Sequence, residues 1–168
     1  RHVSNPADPT SPASVWPRSA FSDRGGVLWF GFTAGGVSKL YLMRRNLMFY
    51  RTHPRLSFLE DGEHVWLGSQ GRGVRLWDRK TGSVKSYLDE QLGATWVMKI
   101  IAGDKGSIWI GTTDRGLFHF TPATGELESY DTEGESLAND SVFALMRDNG
   151  RLWIGMFGAG LGKFETAT

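Results

Sequence analysis

The sequence predicts an all-β fold made of four copies of one four-stranded unit, and three observations support this prediction. A segment centred on tryptophan occurs four times in 168 residues, the copies follow one another at nearly regular intervals, and turn residues divide each copy into short strands. The segments show no helical spacing of apolar residues. The fold class that fits is a β-propeller, in which four-stranded antiparallel blades stack around an axis and bury one another's faces.

The repeat is defined by four segments that align without gaps, at residues 27–31, 64–68, 107–111 and 151–155. Their central tryptophans are Trp29, Trp66, Trp109 and Trp153. Successive tryptophans are 37, 43 and 44 residues apart, which is an interval typical of propeller blades. A tryptophan at the same strand position in every copy indicates packing between blades, so we assign this column a structural role and not a binding role.

Three further columns keep the same register. Aspartate precedes each tryptophan by five or six residues, at Asp23, Asp61, Asp104 and Asp148. Glycine follows each tryptophan by seven residues, at Gly36, Gly73, Gly116 and Gly160. Tyrosine follows the first three tryptophans by 21 residues, at Tyr50, Tyr87 and Tyr130. We expect the aspartates to close hairpin turns through their own side chains, and the glycines to allow left-handed or bulged backbone at the next turn.

Turn residues place the blades at about 14–51, 54–88, 96–130 and 141–168. In the third blade the predicted strands are 97–101, 108–112, 117–120 and 127–130. The last blade has sequence for three strands, and residues 1–3 are interpreted as the possible outer strand of a closing blade. We expect this piece to pair with the last blade, or two chains to complete an eight-bladed ring as a homodimer.

Composition argues against several classes of site. The chain has 19 Lys and Arg against 18 Asp and Glu, a formal net charge of +1 and no long run of either sign, so we predict no nucleic-acid surface. It has no cysteine, which excludes disulfides, thiol catalysis and thiolate metal sites. Its four histidines share no metal-binding spacing, so each is expected to be exposed or merely packed. We therefore predict no catalytic residue, no cofactor and no metal.

The sequence also bears on membrane contact. No run approaches the roughly 18 apolar residues of a membrane span, and the first residues do not form a signal peptide. The chain starts at Arg1 without an initiator methionine. We expect it to come from a longer protein, in which any contact with the membrane is made by domains outside this chain.

The repeat resembles a known family. The fourth copy reads Val-Phe-Ala-Leu-Met-Arg-Asp-Asn-Gly-Arg-Leu-Trp-Ile-Gly over 142–155, followed by a short turn and Gly-Leu-x-x-Phe. This pattern resembles the two-component regulator propeller repeat over nearly the whole chain, although Phe32 and Met156 stand where that family usually has threonine. The resemblance implies a periplasmic or extracytoplasmic sensor domain of a bacterial hybrid histidine kinase or diguanylate cyclase regulator. It also implies diverse ligands, with carbohydrate fragments prominent in gut bacteria.

The candidate binding residues lie in the loops that follow the second and fourth strands of each blade. In a propeller these loops share one face, and loops on a rigid scaffold often carry binding residues. The candidates are Gln70, Arg72, Trp96, Asp114, Arg115 and Phe157. Trp96 is an aromatic residue outside the repeat columns, and Arg72 and Arg115 could together clamp a carboxylate or sulfate.

The function that these observations favour is a ligand-sensing or protein-binding module of a bacterial membrane signalling receptor, without catalysis of its own. Its expected partner is a small molecule or a glycan. Two alternatives stay open. One is a propeller lyase or hydrolase with a site on the axial face, which needs a cluster of histidines or carboxylates with a metal. The other is a purely architectural dimerisation domain.

Overall fold

The computed structural model describes residues 17–23, 25–32, 37–41, 46–50 and 55–166. The described chain is all β apart from one helix of four residues. Its strands form antiparallel sheets in which each strand pairs with its neighbour in sequence. The prediction of four-stranded antiparallel sheets is thereby confirmed. The proposed outer strand at residues 1–3 and the loop glycine Gly36 lie outside the described residues, and the blade boundaries stay a prediction.

Four sheets follow one another along the chain. Sheet 1 contains β1 (Pro17–Ser22), β2 (Val27–Phe32), β3 (Val37–Tyr41) and β4 (Asn46–Tyr50). Sheet 2 contains β5 (Arg55–Asp61), β6 (His64–Ser69), β7 (Val74–Asp78) and β8 (Val84–Tyr87), and α1 (Asp89–Leu92) follows it. Sheet 3 contains β9 (Val97–Ala102), β10 (Ile108–Thr112), β11 (Leu117–Thr121) and β12 (Glu126–Tyr130). Sheet 4 contains three described strands, β13 (Val142–Asp148), β14 (Arg151–Met156) and β15 (Gly160–Glu165).

Neighbouring sheets contact each other mainly through their first strands. Strand β5 contacts β1 on one side and β9 on the other, and β9 in turn contacts β13. The main contacts between sheets all join sheets that are consecutive in sequence, and the row of sheets is not closed among the described residues. The apolar core is consequently divided into three clusters, one between each pair of neighbouring sheets.

The tryptophan column packs between sheets, as expected. Each of the first three tryptophans is buried and faces an aromatic ring on the third strand of the next sheet. The ring pairs are Trp29–Trp77, Trp66–Phe120 and Trp109–Phe164, with centroid separations of 4.8, 6.5 and 6.0 Å. Trp153 is only half-buried, since sheet 4 has no described sheet beyond it. The structural role is thus confirmed for the first three tryptophans.

The glycine and tyrosine columns meet at one point in sheet 2 and in sheet 3. Gly73 and Gly116 have φ of 53° and 73°, in the left-handed region. A Cβ atom on Gly73 would overlap the Tyr87 carbonyl oxygen, and one on Gly116 would overlap the Tyr130 carbonyl oxygen. The glycine therefore allows both the turn after the second strand and the close approach of the fourth strand.

The aspartate column joins neighbouring sheets as well as closing turns. Asp23 Oδ1 accepts hydrogen bonds from the backbone N–H groups of Gly25 (2.9 Å) and Val27 (3.0 Å), as expected for a turn. Its other oxygen accepts from Trp29 Nε1 (3.0 Å) and from Arg79 of sheet 2 (2.8 Å). Its side chain is 4% exposed.

The aspartates were expected to close their own turns through their side chains, and Asp104 does not. The carboxylate of Asp104 instead accepts two hydrogen bonds of 2.7 Å from Arg147 of sheet 4. Sheet 1 has a turn one residue longer, with Asp23 six residues before its tryptophan and Asp104 five before its own. Both aspartates therefore bind an arginine of the next sheet, and Asp23 on the longer turn also binds its own turn and the indole of Trp29.

Replacing Asp23 by asparagine is expected to destabilise the protein by about 1–3 kcal/mol at pH 7, because Arg79 loses a buried charged partner. Burial raises the pKa of Asp23, but hydrogen bonds from Trp29, Val27, Arg79 and Gly25 outweigh it and hold that pKa below its ordinary value. A depressed carboxyl pKa stabilises the fold above the unfolded pKa of about 4, and this contribution disappears as pH falls through the folded value. The difference between wild type and variant, measured by thermal unfolding, should therefore shrink below about pH 4.

The matched control is Asp61→Asn, which changes the same column at an exposed position. We expect this variant to lie within about 0.5 kcal/mol of wild type at every pH. An equal loss of stability in both variants would show that the contacts of Asp23 with sheet 2 contribute nothing.

Candidate functional site

The six predicted binding residues all lie at one end of the sheets. They belong to the connections after the second or fourth strand of a sheet, which lie at the opposite end from the β9–β10 turn. We call this end the loop face. It comprises the described residues 70–73, 88–96, 113–116, 131–141 and 157–159.

Backbone hydrogen bonds join the loops of neighbouring sheets. Gly71 N donates to Thr95 O (3.0 Å), and Gln70 forms an isolated antiparallel bridge with Trp96. Thr113 N donates to Trp96 O (3.1 Å), and Phe157 N donates to the Ser141 carbonyl (2.9 Å) in the corresponding position of the next sheet. Backbone hydrogen bonds therefore connect adjacent loops of the loop face, in the same way as they connect the strands of the sheets.

Polar side chains add to this network. Asp114 accepts hydrogen bonds from the hydroxyl groups of Thr95 and Thr113, which fixes the carboxylate over the start of β9. Arg115 Nη1 donates to the Gln91 carbonyl at 2.9 Å, so one of its five donors is already engaged. Arg72 is exposed on the loop of the preceding sheet. The structure thus links Asp114 and Arg115 to the loops of sheet 2, but it shows no contact between the two arginines of the predicted clamp among the described residues.

Three exposed aromatic side chains stand at the loop-face ends of sheets 3 and 4. Trp96 and Phe157 were predicted, and both are exposed. Phe143 is a third, and its ring lies 5.8 Å from the ring of Phe157, tilted by 42°. The loop that holds Trp96 is connected to this pair through Thr113, whose N–H donates to the Trp96 carbonyl and whose own carbonyl accepts from the Ser141 hydroxyl. We call Trp96, Phe143 and Phe157 the aromatic patch.

Phe143 was missed because its exposure depends on a β-bulge. The first strand of every sheet carries one extra residue opposite its second strand, between its first and third residues. The extra residues are Arg18, Leu56, Met98 and Phe143. A bulge turns a side chain away from the alternating pattern, so the continuous apolar run Val142–Leu145 could not show which residue is exposed. The only signal in the sequence is that this run does not alternate.

A cleft of about 1160 Å³ lies at the other end, between sheets 3 and 4. Charged side chains such as Glu128 and Arg147 line it, together with Trp109 and His119. The His119 ring stacks on Trp109, with centroids 4.2 Å apart. Its Nδ1 lies 3.0 Å from Glu128 Oε2 and its Nε2 lies 2.8 Å from Ser107 Oγ. His119 is therefore packed and doubly hydrogen-bonded.

The His119 network connects three strands of sheet 3. The Ser107 hydroxyl donates to the Asp104 carbonyl at 2.8 Å, so its proton is directed to the backbone and not to the imidazole. The hydrogen bonds from His119 and then Tyr130 hold the pKa of Glu128 below its ordinary value. Burial, with the nearby Glu128 charge, raises the pKa of Tyr130. These contacts cross-link β10, β11 and β12.

Within the part of the chain that the structure describes, no group of three or more histidine, aspartate or glutamate side chains is placed to hold a metal ion. No helix in the described part of the chain has the length and apolar character needed to cross a membrane.

Small antiparallel sheets stacked through a tryptophan column define a class of repeat fold, and solved structures share it. The chain matches the extracellular domain of the proposed one-component system BT4673 from B. thetaiotaomicron with a TM-score of 0.76 and 18% identity, over 90% of this chain and 22% of that one. It matches the extracellular domain of the proposed hybrid two-component system BT3049 from the same organism with a TM-score of 0.68 and 20% identity, over 96% of this chain and 28% of that one.

The chain therefore spans about a quarter of the length of these two natural domains. The computationally designed Ika4 protein is matched along most of its length, with a TM-score of 0.66, 14% identity, and coverage of 90% of this chain and 91% of that one. At these identities the likeness shows the fold alone. No protein-family model and no curated protein sequence matches the chain.

Proposed function

We propose that this chain is part of an extracytoplasmic β-propeller sensor of a bacterial membrane signalling receptor, related to the two-component regulator propeller repeats. In this proposal its four sheets are blades, and it binds ligand through the loop face without catalysing a reaction. The repeat columns and the likeness to extracellular domains of signalling systems support this proposal. Binding would act by favouring one of two pre-existing arrangements of the receptor.

The observation that carries the proposal is the aromatic patch on a backbone-bonded scaffold. Trp96, Phe143 and Phe157 are exposed although each is large and apolar. Exposed apolar groups that cluster beside polar ones mark binding surfaces more often than isolated ones do. The carboxylate of Asp114 and the exposed Arg72 lie on the same loop face and supply hydrogen-bonding groups. Aromatic faces next to such groups suit a small molecule or glycan with one apolar and one polar side.

The test is a thermal-shift screen of the protein against oligosaccharides and small organic anions, followed by calorimetric titration of any compound that stabilises it. Trp96→Ala and Phe157→Ala should each weaken binding about tenfold or more, because each removes an apolar contact of about 1–3 kcal/mol. The matched control is Val84→Ala, which removes an exposed apolar side chain on β8, outside the loop face. Loss of affinity in the control alone, or in none of the variants, would place the site elsewhere.

The polar half of the site is tested separately. The double variant Arg72→Gln and Arg115→Gln should weaken the binding of an anionic ligand, while circular dichroism shows an intact fold. Arg115 also contacts the Gln91 carbonyl, and glutamine keeps a side-chain donor that can serve this contact. Unchanged affinity for the anion in this double variant would remove both arginines from the site.

A further inference from the structure

The carboxylate of Asp114 stands at a position where the repeat has a small residue. Asp114 follows Trp109 by five residues, and the same position of the other copies holds Ala34, Gly71 and Gly158. The repeat therefore does not require a carboxylate at this position. Because Asp114 is exposed on the loop face, the packing of the core does not require one either.

Two hydroxyl groups orient this carboxylate. The hydroxyl groups of Thr95 and Thr113 both donate to Asp114 Oδ1, the second at 3.3 Å. Thr95 is only 4% exposed, and its carbonyl accepts a hydrogen bond of 3.0 Å from the N–H of Gly71. Since the buried threonine is held by its surroundings, the carboxylate is oriented before any ligand binds, which lowers the entropy cost of binding.

The charge of Asp114 is not neutralised by an ion pair within the part of the chain that the structure describes. Its Oδ2 atom accepts no hydrogen bond from a described residue. The next residue, Arg115, directs its Nη1 to the Gln91 carbonyl at 2.9 Å. By contrast, the carboxylate of Asp89 on the same loop face pairs with Arg75 at 3.2 Å. Asp114 thus offers a free, oriented acceptor for a cation.

An exposed aromatic residue is linked to this carboxylate. The N–H of Trp96 donates to Thr113 Oγ1 at 3.3 Å, and the same hydroxyl donates to Asp114. Trp96 is 43% exposed, and Ser141 occupies the corresponding position of sheet 4. Sheet 3 therefore departs from sheet 4 at two linked positions, with an aromatic ring at one and a carboxylate at the other. Indole rings attract ammonium groups, and so do carboxylates.

We propose that Asp114 and Trp96 bind the ammonium group of a cationic ligand. Asp114 Oδ2 accepts a charge-assisted hydrogen bond from this group, and the indole of Trp96 contacts the group and the carbon atoms next to it. The inference rests on the proposed function, because it names the chemistry of the ligand that the loop face binds. That chemistry is a primary amine beside an apolar surface, which either a sugar ring or an aromatic ring supplies.

The first experiment compares two amines with their N-acetyl derivatives, which lack the charge. The pairs are glucosamine with N-acetylglucosamine, and phenethylamine with N-acetylphenethylamine. In calorimetric titrations at least one amine should bind about tenfold or more tightly than its derivative, because only the amine donates a charged hydrogen bond. The pair that shows this preference identifies the source of the ammonium group. If neither amine binds more tightly than its derivative, the proposal is overturned.

The second experiment tests whether Asp114 causes this preference. In Asp114→Asn the amide oxygen still accepts from Thr95 and Thr113, so the fold is kept and only the charge is lost, which thermal unfolding checks. Affinity for the amine should fall about tenfold, while affinity for the N-acetyl derivative should not change. The matched control is Glu90→Gln, which removes a negative charge from another exposed position of the loop face and should bind like wild type. An equal fall in both variants would indicate a general attraction of cations and would overturn the assignment to Asp114.

The outcomes also separate this inference from the proposed function. An uncharged compound from the thermal-shift screen that binds wild type and Asp114→Asn equally, but binds Trp96→Ala more weakly, supports a loop-face site. Together with amines that show no preference, this result would overturn the ammonium site alone. If Trp96→Ala and Phe157→Ala change the binding of no compound, both the ammonium site and the proposed function are wrong.

Discussion

Replacing Gly116 by alanine is expected to destabilise the protein by about 3 kcal/mol or more, the first of the two largest effects that we predict. The left-handed backbone at Gly116 costs a residue with a Cβ about 1–2 kcal/mol. The new methyl group also overlaps the Tyr130 carbonyl oxygen, which is fixed backbone, and such overpacking costs about 1–3 kcal/mol more. Urea unfolding of wild type and variant measures the difference.

Gly160→Ala is the matched control, because Gly160 occupies the same column with a similar φ of 78°. A Cβ atom there meets nothing within 4 Å. Only the backbone cost remains, so a loss of about 1–2 kcal/mol is expected. Equal losses in the two variants would mean that the left-handed backbone alone requires glycine in this column, and that the nearby fourth strand adds no further requirement.

Replacing Trp66 by alanine is the second large effect, with an expected loss of about 3 kcal/mol. Removing a large buried aromatic side chain typically costs about 3–5 kcal/mol, because its apolar contacts are lost and the surrounding residues fill the cavity only in part. Trp66 packs on Tyr87 and Phe120, with ring centroids 5.2 and 6.5 Å away. Its indole N–H is buried and has no hydrogen-bond partner among the described residues. The Trp66→Ala change also removes the desolvation cost of this buried N–H group. We therefore expect the loss of stability to lie at the lower end of the range for buried aromatic side chains.

Trp153→Ala provides the comparison for Trp66→Ala within the same column. Its side chain is only half-buried, so we expect a loss of about 1 kcal/mol. Thermal unfolding of the two variants and of wild type measures both losses. A loss at Trp153 as large as that at Trp66 would show that sheet 4 is stabilised by something other than a neighbouring sheet.

Much of the fold could be predicted from the repeat, because a residue type that occurs at the same position of every copy indicates a contact that every sheet makes. Tryptophan in every copy predicted packing between sheets, and the first three are buried there. The glycines predicted a turn with unusual backbone, and the described ones have positive φ. The columns did not reveal that Gly116 and Tyr130 meet, because residues 14 apart in sequence are brought together only when the third and fourth strands pair.

The site was predicted less completely. The loop positions of Trp96 and Phe157 follow from strand order, which the turn residues predict, and both side chains are exposed. Phe143 could not be predicted because a bulge exposes it, and bulges leave no reliable mark in a single sequence. The His119 network was missed for a similar reason, since its partners lie on different strands.

The sequence by itself determined that the chain is all β, that its sheets repeat and that tryptophans lie between them, because these properties depend on local patterns and their period. Only the tertiary structure decided that Asp23 and Asp104 bind a neighbouring sheet and that Phe143 is exposed. Those properties depend on register, bulges and the order of sheets in space, where a shift of one residue reverses the side of the sheet on which a side chain lies.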